Sequence, residues 1–176
     1  QYKKALSRLV FEELFIAQIR LNLIKIDRHK NSQGHKFEKV GAYFNTFYNE
    51  HLPFQLTGAQ KRVIKEIRQD TARGFQMNRL LQGDVGSGKT MIALLSMLLA
   101  ADNGYQSCMM APTEILAQQH YASLSELLKE MPLEVALLTG STKIAERRRI
   151  LQGLLDDSIH FVVGTHAIIE EVRSEE

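Results

Sequence analysis

Gly83-Asp84-Val85-Gly86-Ser87-Gly88-Lys89-Thr90 is the stretch on which the reading of this chain turns. It satisfies the pattern G-x-x-x-x-G-K-[ST]. Glycines at these spacings let the backbone turn tightly, so that successive N–H groups point inward at an anion. A helix opening directly after them adds its N-terminal dipole to the same point. In such a loop Lys89 reaches the outer phosphates of a nucleotide, and the Thr90 hydroxyl lies where Mg²⁺ bridges phosphates. The competing reading is a glycine-rich turn before a helix. Context decides between them: the short apolar run Arg79–Gln82 reads as a strand entering the loop, and Thr90–Asn103 reads as a strongly apolar helix leaving it.

Outward from the loop the pattern is regular. Apolar runs at Ser107–Ala111, Glu134–Thr139 and His160–Gly164 alternate with helical stretches at Glu114–Met131 and Lys143–Leu155. Strands alternating with helices imply right-handed crossovers and a mostly parallel sheet covered on both faces. Ligand chemistry in such a sheet is expected at the carboxyl ends of its strands. Upstream, Gly58–Arg73 reads as a helix with Val63, Ile64 and Ile67 inward, and Pro53 marks the start of the core domain. Residues 4–26 form one long helical pattern. Its apolar positions extend beyond one stripe, through Phe11, Phe15, Ile16, Ile19 and Leu23, so cover on more than one side is expected. Asp27–Lys36 reads as a polar loop, and Gly41–His51 as a short aromatic-rich helix.

The 176 residues, 44% apolar and 24% charged, suit one domain of ordinary size with an appendage and exclude disorder. No run reaches the roughly 18 apolar residues of a membrane span, so no membrane partner is expected. The chain opens Gln1-Tyr2-Lys3-Lys4 without an initiator Met, which suggests a fragment or a processed product. Cys108 is the only cysteine, which excludes an internal disulfide and fits a reducing, cytoplasmic setting. Inside an apolar strand it reads as inert core. Net charge is only +2 but unevenly spread. Residues 1–75 carry 14 Lys/Arg against 7 Asp/Glu, and residues 76–176 carry 8 against 13. The basic part suits a place near nucleic acid, or simply solvated helix faces.

Other groups carry possible chemistry. In Phe54-Gln55-Leu56-Thr57-Gly58-Ala59-Gln60 the Phe54 ring can stack on a purine, and the Gln60 amide can donate and accept at its edge. Thr57-x-x-Gln60 is equally a capping box for the following helix, with Phe54 packing near its start. One glutamine can serve both purposes. Pro112-Thr113, Thr139-Gly140-Ser141-Thr142 and Gly164-Thr165-His166 each follow a strand. Singly each reads as a cap or turn. Together, at the ends of successive strands, Thr113, Ser141 and Thr165 suit contacts to nucleic-acid phosphates, which do not depend on base sequence. His166 has no partner set beside it by sequence, and Arg147-Arg148-Arg149 reads as a solvated run.

These residues resemble a known family. Leu80–Thr90, Ala111-Pro112-Thr113-Glu114-Ile115-Leu116-Ala117 and Gly164-Thr165-His166-Ala167 are similar to motifs of superfamily-two DNA helicases, and most of all to those of the RecG type. Arg8–Phe15 resembles the helix that joins the RecG wedge domain to its motor. Leu52–Thr57 resembles the lead into the glutamine motif.

The resemblance implies a partial RecA-like parallel sheet of the α/β class, flanked by helices, with an N-terminal helical extension. Residues 1–52 are then the linker to the wedge, and 53–176 the first part of the first motor lobe. It implies an ATP-dependent DNA helicase acting on branched or forked DNA as a monomeric motor, with ATP and Mg²⁺ as cofactors. Gly83, Asp84, Val85, Gly86, Ser87, Gly88, Lys89 and Thr90 would hold the phosphates and the metal, and Phe54 and Gln60 the adenine. Lys89 and Thr90 would serve hydrolysis. The family's wedge domain and second lobe, with its arginine finger, have no counterpart here, and no Asp-Glu pair occurs in the 176 residues. Asp156-Asp157 precedes a strand instead of ending one. The chain alone is therefore expected to be inactive. Other readings of the loop are a different phosphate-loop enzyme, such as a nucleotide kinase, or a nucleotide-gated binding module without hydrolysis.

Overall fold

A computed structural model describes residues 2–31 and 33–170. The chain divides into two compact units, residues 1–36 with 69–80, and residues 37–68 with 81–176.

In the first unit, helix α1 spans Tyr2–Asn31. It runs five residues further than the pattern predicts, through the polar stretch expected to be a loop. Nothing in Asp27–Asn31 forbids helix: the breaker is Gly34, whose N–H donates to the Gly74 carbonyl at 2.9 Å beside an antiparallel bridge between Gln33 and Phe75. The apolar side chains of α1 are exposed, Leu9, Phe11 and Leu14 by 60% or more, and Phe11 stacks on Phe15 at 5.8 Å. The expected cover on several sides is not found among the described residues.

Arg79–Gln82 corrects a second expectation. It forms no strand. A strand exists by its neighbour's hydrogen bonds, and none of the three described strands pairs with it. Arg79 is instead held by the Asp70 carboxylate.

The second unit carries the sheet. Strands β1 (Ser107–Met110), β2 (Val135–Leu138) and β3 (Phe161–Gly164) are all parallel, in the order β1-β3-β2. Ser107 and Val135 flank Phe161, and Met110 and Leu138 flank Gly164. Alternation sorts the side chains. Phe161 and Val163 pack with the core of α4 (Lys89–Asp102) and α5 (Glu114–Leu127). Ala136, Leu138 and Val162 meet Ile150 of α6 (Ile144–Leu155) on the other face. Gly164 allows close passage of the strands, since an added Cβ would strike the Leu138 carbonyl. Helix α4 is buried nearly all round, with Leu94, Leu95 and Leu98 fully enclosed, as its unbroken apolar run requires.

Cys108 is not core. It is exposed, because β1 is an edge strand whose second face, carrying Cys108 and Met110, is covered by no helix among the described residues. Packing around its thiol still pushes its pKa up.

The aromatic stretch forms α2 (Ala42–Thr46) followed by a π-helical turn, Phe47–His51. It is fastened to the far end of α4. Asp102, 8% exposed, accepts N–H bonds from Gly41 (2.8 Å), Tyr43 (2.9 Å) and Phe44 (3.1 Å), and so caps α2 from a distance. Asn103 accepts from Glu38 and Lys39 N–H and donates to the Lys39 and Leu99 carbonyls. Helix α3 spans Gly58–Thr71 with Ile64 and Ile67 buried. The chain ends its described course in α7 (Ala167–Glu170).

Candidate functional site

The phosphate loop is built from local backbone preferences. Gly86 and Gly88 both stand at φ +80°, a region that costs side-chain-bearing residues dearly. The Ser87 N–H donates to the Asp84 carbonyl at 3.1 Å and closes the turn. Gly88 is the N-cap of α4 and has no side chain with which to cap it, so the first-turn N–H groups are left for an anion. Lys89 is exposed, and its ammonium folds back on its own loop, donating to Gly83 O at 2.8 Å and Asp84 O at 2.7 Å. Thr90 is half-buried one residue further on, and Val85 stands fully in solvent at the tip.

Gln60 is joined to this loop. Its Oε1 accepts the Thr57 N–H at 2.8 Å, and Thr57 Oγ1 accepts the Gln60 N–H at 3.3 Å, which is the capping box in full. Its Nε2 then donates to the Ser87 carbonyl at 2.9 Å. A Cβ on Gly88 would come within 2.5 Å of that nitrogen, so the glycine also makes room for the glutamine. Phe54 is 47% exposed a few residues upstream.

The three hydroxyl-bearing loops do lie at the carboxyl ends of β1, β2 and β3. Thr113 Oγ1 caps α5, accepting from Leu116 N–H at 3.3 Å. Thr165 is 6% exposed, below the surface. Ser141 is exposed, but both its donors are taken: its N–H and hydroxyl go to the two oxygens of Glu114, at 3.2 and 2.9 Å. Thr139, 2% exposed, lies within 3.0 Å of Ser141 Oγ through its hydroxyl, and its carbonyl accepts from Arg147. The arginine run is thus only partly solvated: Arg147 braces this turn, and Arg149 pairs with Glu146.

Glu114 and Arg147 have no role in the sequence reading. Their signal lies in the strand order, which no local pattern carries. Asp156-Asp157 ends α6, with Asp156 Oδ1 accepting from Ser158 N–H and Asp157 at φ +60°. The Ser158 bonds hold the Asp156 carboxyl below its usual range. Among the described residues no cluster of three or more His, Cys, Asp or Glu side chains can hold a metal unaided, and no helix is long and apolar enough to cross a membrane.

A phosphate-loop sequence at the head of a buried helix, in a parallel α/β sheet, defines the phosphate-loop class of proteins with a RecA-like fold. The chain belongs to the DEAD/DEAH box helicase family, whose sequence pattern matches residues 57–176. Its sequence is 46% identical to the ATP-dependent DNA helicase RecG of Aquifex aeolicus, over 94% of this chain and 21% of that protein. It is 45% identical to RecG of Streptococcus pneumoniae serotype 4, over 97% of this chain and 25% of that protein. The fold superposes with a TM-score of 0.85 on the structure of RecG bound to a three-way DNA junction, at 44% identity, covering 94% of this chain and 22% of that one. A hypothetical ATP-dependent RNA helicase from Sulfolobus tokodaii shares the fold, with a TM-score of 0.55 at 20% identity over 77% of this chain and 37% of that one. The chain thus spans a fifth to a quarter of the curated relatives it matches, 21% and 25% in these two.

Proposed function

We propose that the chain is the nucleotide-binding part of an ATP-dependent DNA helicase of the RecG type, working as a monomeric cytoplasmic motor on branched or forked DNA. Residues 1–52 are the helical linker toward a DNA-gripping domain, and 53–176 open the first RecA-like lobe. The phosphate loop carries this reading. Two glycines at φ +80°, an uncapped α4 N-terminus and an adjacent ammonium form a cradle that suits a polyphosphate.

Gly83–Gly88 offer backbone N–H groups to the phosphates, Lys89 gives its charge to the outer ones, and the Thr90 hydroxyl faces Mg²⁺. Phe54 and Gln60 flank the adenine. The loops of Thr113, Ser141 and Thr165 face the DNA backbone. ATP with Mg²⁺ supplies the free energy of phosphoryl transfer. This chain's residues bind and orient it, and the chain by itself completes no hydrolysis, having no Asp-Glu pair.

The test is calorimetric titration of ATP into the chain and its Lys89→Ala variant. Losing one charge-assisted contact weakens binding by about 1.5–3 kcal/mol, roughly 10- to 150-fold. Equal affinities would sink the assignment. In the full-length protein, ATP turnover that forked DNA stimulates separates a DNA motor from a nucleotide kinase and from a non-hydrolysing module.

A further inference from the structure

Glu114 is the first residue of α5, yet its carboxylate leaves its own helix for the loop after β2. The strand order makes this a long reach. β1 and β2 are separated by β3, so the loops after them start roughly 10 Å apart, two inter-strand spacings. Glu114 crosses that gap at the end of the sheet where buried Thr165 follows the central strand. Both of its oxygens are used, one on Ser141 N–H and one on Ser141 Oγ–H. Gly140 admits it closely: a Cβ there would lie 3.3 Å from Oε1. The far anchor is itself braced, by Thr139 Oγ1 on Ser141 Oγ, by the Thr142 hydroxyl on Thr139 N–H and by Arg147 on Thr139 O.

A carboxylate on a surface meant for phosphates repels them unless its charge is absorbed locally. Here two hydrogen bonds hold the charge in place and partly offset it. We propose that Glu114 is a positioning residue, a strut that fixes the loop after β1 against the loop after β2, so that the two meet a nucleic-acid backbone as one rigid surface. Ser141 acts through this strut, because both its donors are spent on Glu114. Thr113, whose oxygen only accepts within the helix cap, keeps its hydroxyl proton for a phosphate. The proposal rests on the helicase reading above.

The experiment uses the full-length protein and forked DNA, reading basal ATPase, maximal DNA-stimulated ATPase and the DNA concentration at half-stimulation. Glu114→Ala raises the half-stimulating concentration by roughly three- to tenfold, the net worth of one ordinary hydrogen bond, and leaves the basal and maximal rates in place. Glu114→Gln, which keeps one acceptor, does so less. The double variant Glu114→Ala with Ser141→Ala goes no further than Glu114→Ala alone, since both remove one link. Amide hydrogen exchange over 139–142 quickens in Glu114→Ala. An unchanged or lowered half-stimulating concentration overturns the strut, and so does an additive double variant. If Glu114→Ala does not fold, Glu114→Asp, one methylene shorter than the reach to Ser141, decides by the same readout, a rise supporting the strut and no change refuting it. A wild type indifferent to DNA removes the helicase reading and the strut together, whereas a responsive wild type with unaffected variants removes only the strut.

Discussion

Gln60 holds two neighbours at once, and two substitutions separate them. Gln60→Ala removes the acceptor for Thr57 N–H and the donor to Ser87 O. Losing the first resembles losing a helix cap, about 1 kcal/mol. The second is an exposed side-chain bond, about 0.5–1.5 kcal/mol. Gln60→Ala should therefore lower stability by about 1.5–2.5 kcal/mol in urea denaturation. Gln60→Glu keeps an oxygen on Thr57 N–H, where negative charge at the start of α3 is favourable. It replaces the Nε2 donor with a second acceptor facing the Ser87 carbonyl. Its stability should stay within about 1 kcal/mol of wild type, while the phosphate loop loses its tether. ATP affinity by calorimetry should then fall in both variants, by up to roughly tenfold, the worth of one hydrogen bond. If Gln60 also reads adenine, the preference for ATP over GTP narrows in both. Wild-type ATP affinity in Gln60→Glu, alongside a destabilised Gln60→Ala, would reduce Gln60 to a helix cap and refute the reasoning.

Asp102→Ala leaves three N–H groups of Gly41, Tyr43 and Phe44 without their shared carboxylate. Partial access of water limits the cost to about 3–4 kcal/mol, with Asp102→Asn about half as damaging; a loss below 1 kcal/mol for Asp102→Ala in urea denaturation would contradict the cap. Cys108 is exposed but its thiol pKa is raised by desolvation. Only the thiolate attacks iodoacetamide, so alkylation at pH 8 should be slower than for a free cysteine and should keep rising above the pH where the free thiol levels off. A rate profile matching free cysteine would show that the thiol is fully solvated.

The elements legible in the sequence are those whose own residues decide them. The period of α4 and α5, the glycines of the phosphate loop and the Thr113 and Thr57 caps need only near neighbours. Arg79–Gln82 has the composition of a strand, but pairing is a property of two segments. Cys108 has the composition of core, yet its exposure follows from β1 standing at an edge. Nothing in the sequence near Asp102 and Asn103 announces that they grip residues 38–44, some 60 positions earlier. Ser141 reads as a candidate phosphate contact and Glu114 as part of a motif; only the β1-β3-β2 order brings the two together.

Helix α4 has a mechanical consequence. Its 14 residues make a rod about 21 Å long at 1.5 Å per residue, with the phosphate cradle at its head and the Asp102–Asn103 grip at its tail. The rod is enclosed in close-packed core, which does not compress. Seven hydrogen bonds of Asp102 and Asn103 fasten that tail, six of them to residues 38–44, so the glycine loop and Gly41–Phe44 sit at the two ends of one stiff element. Neither end can shift along that axis without straining the packing between them, which makes the aromatic segment and the glycine loop mechanical partners although they share no contact of their own.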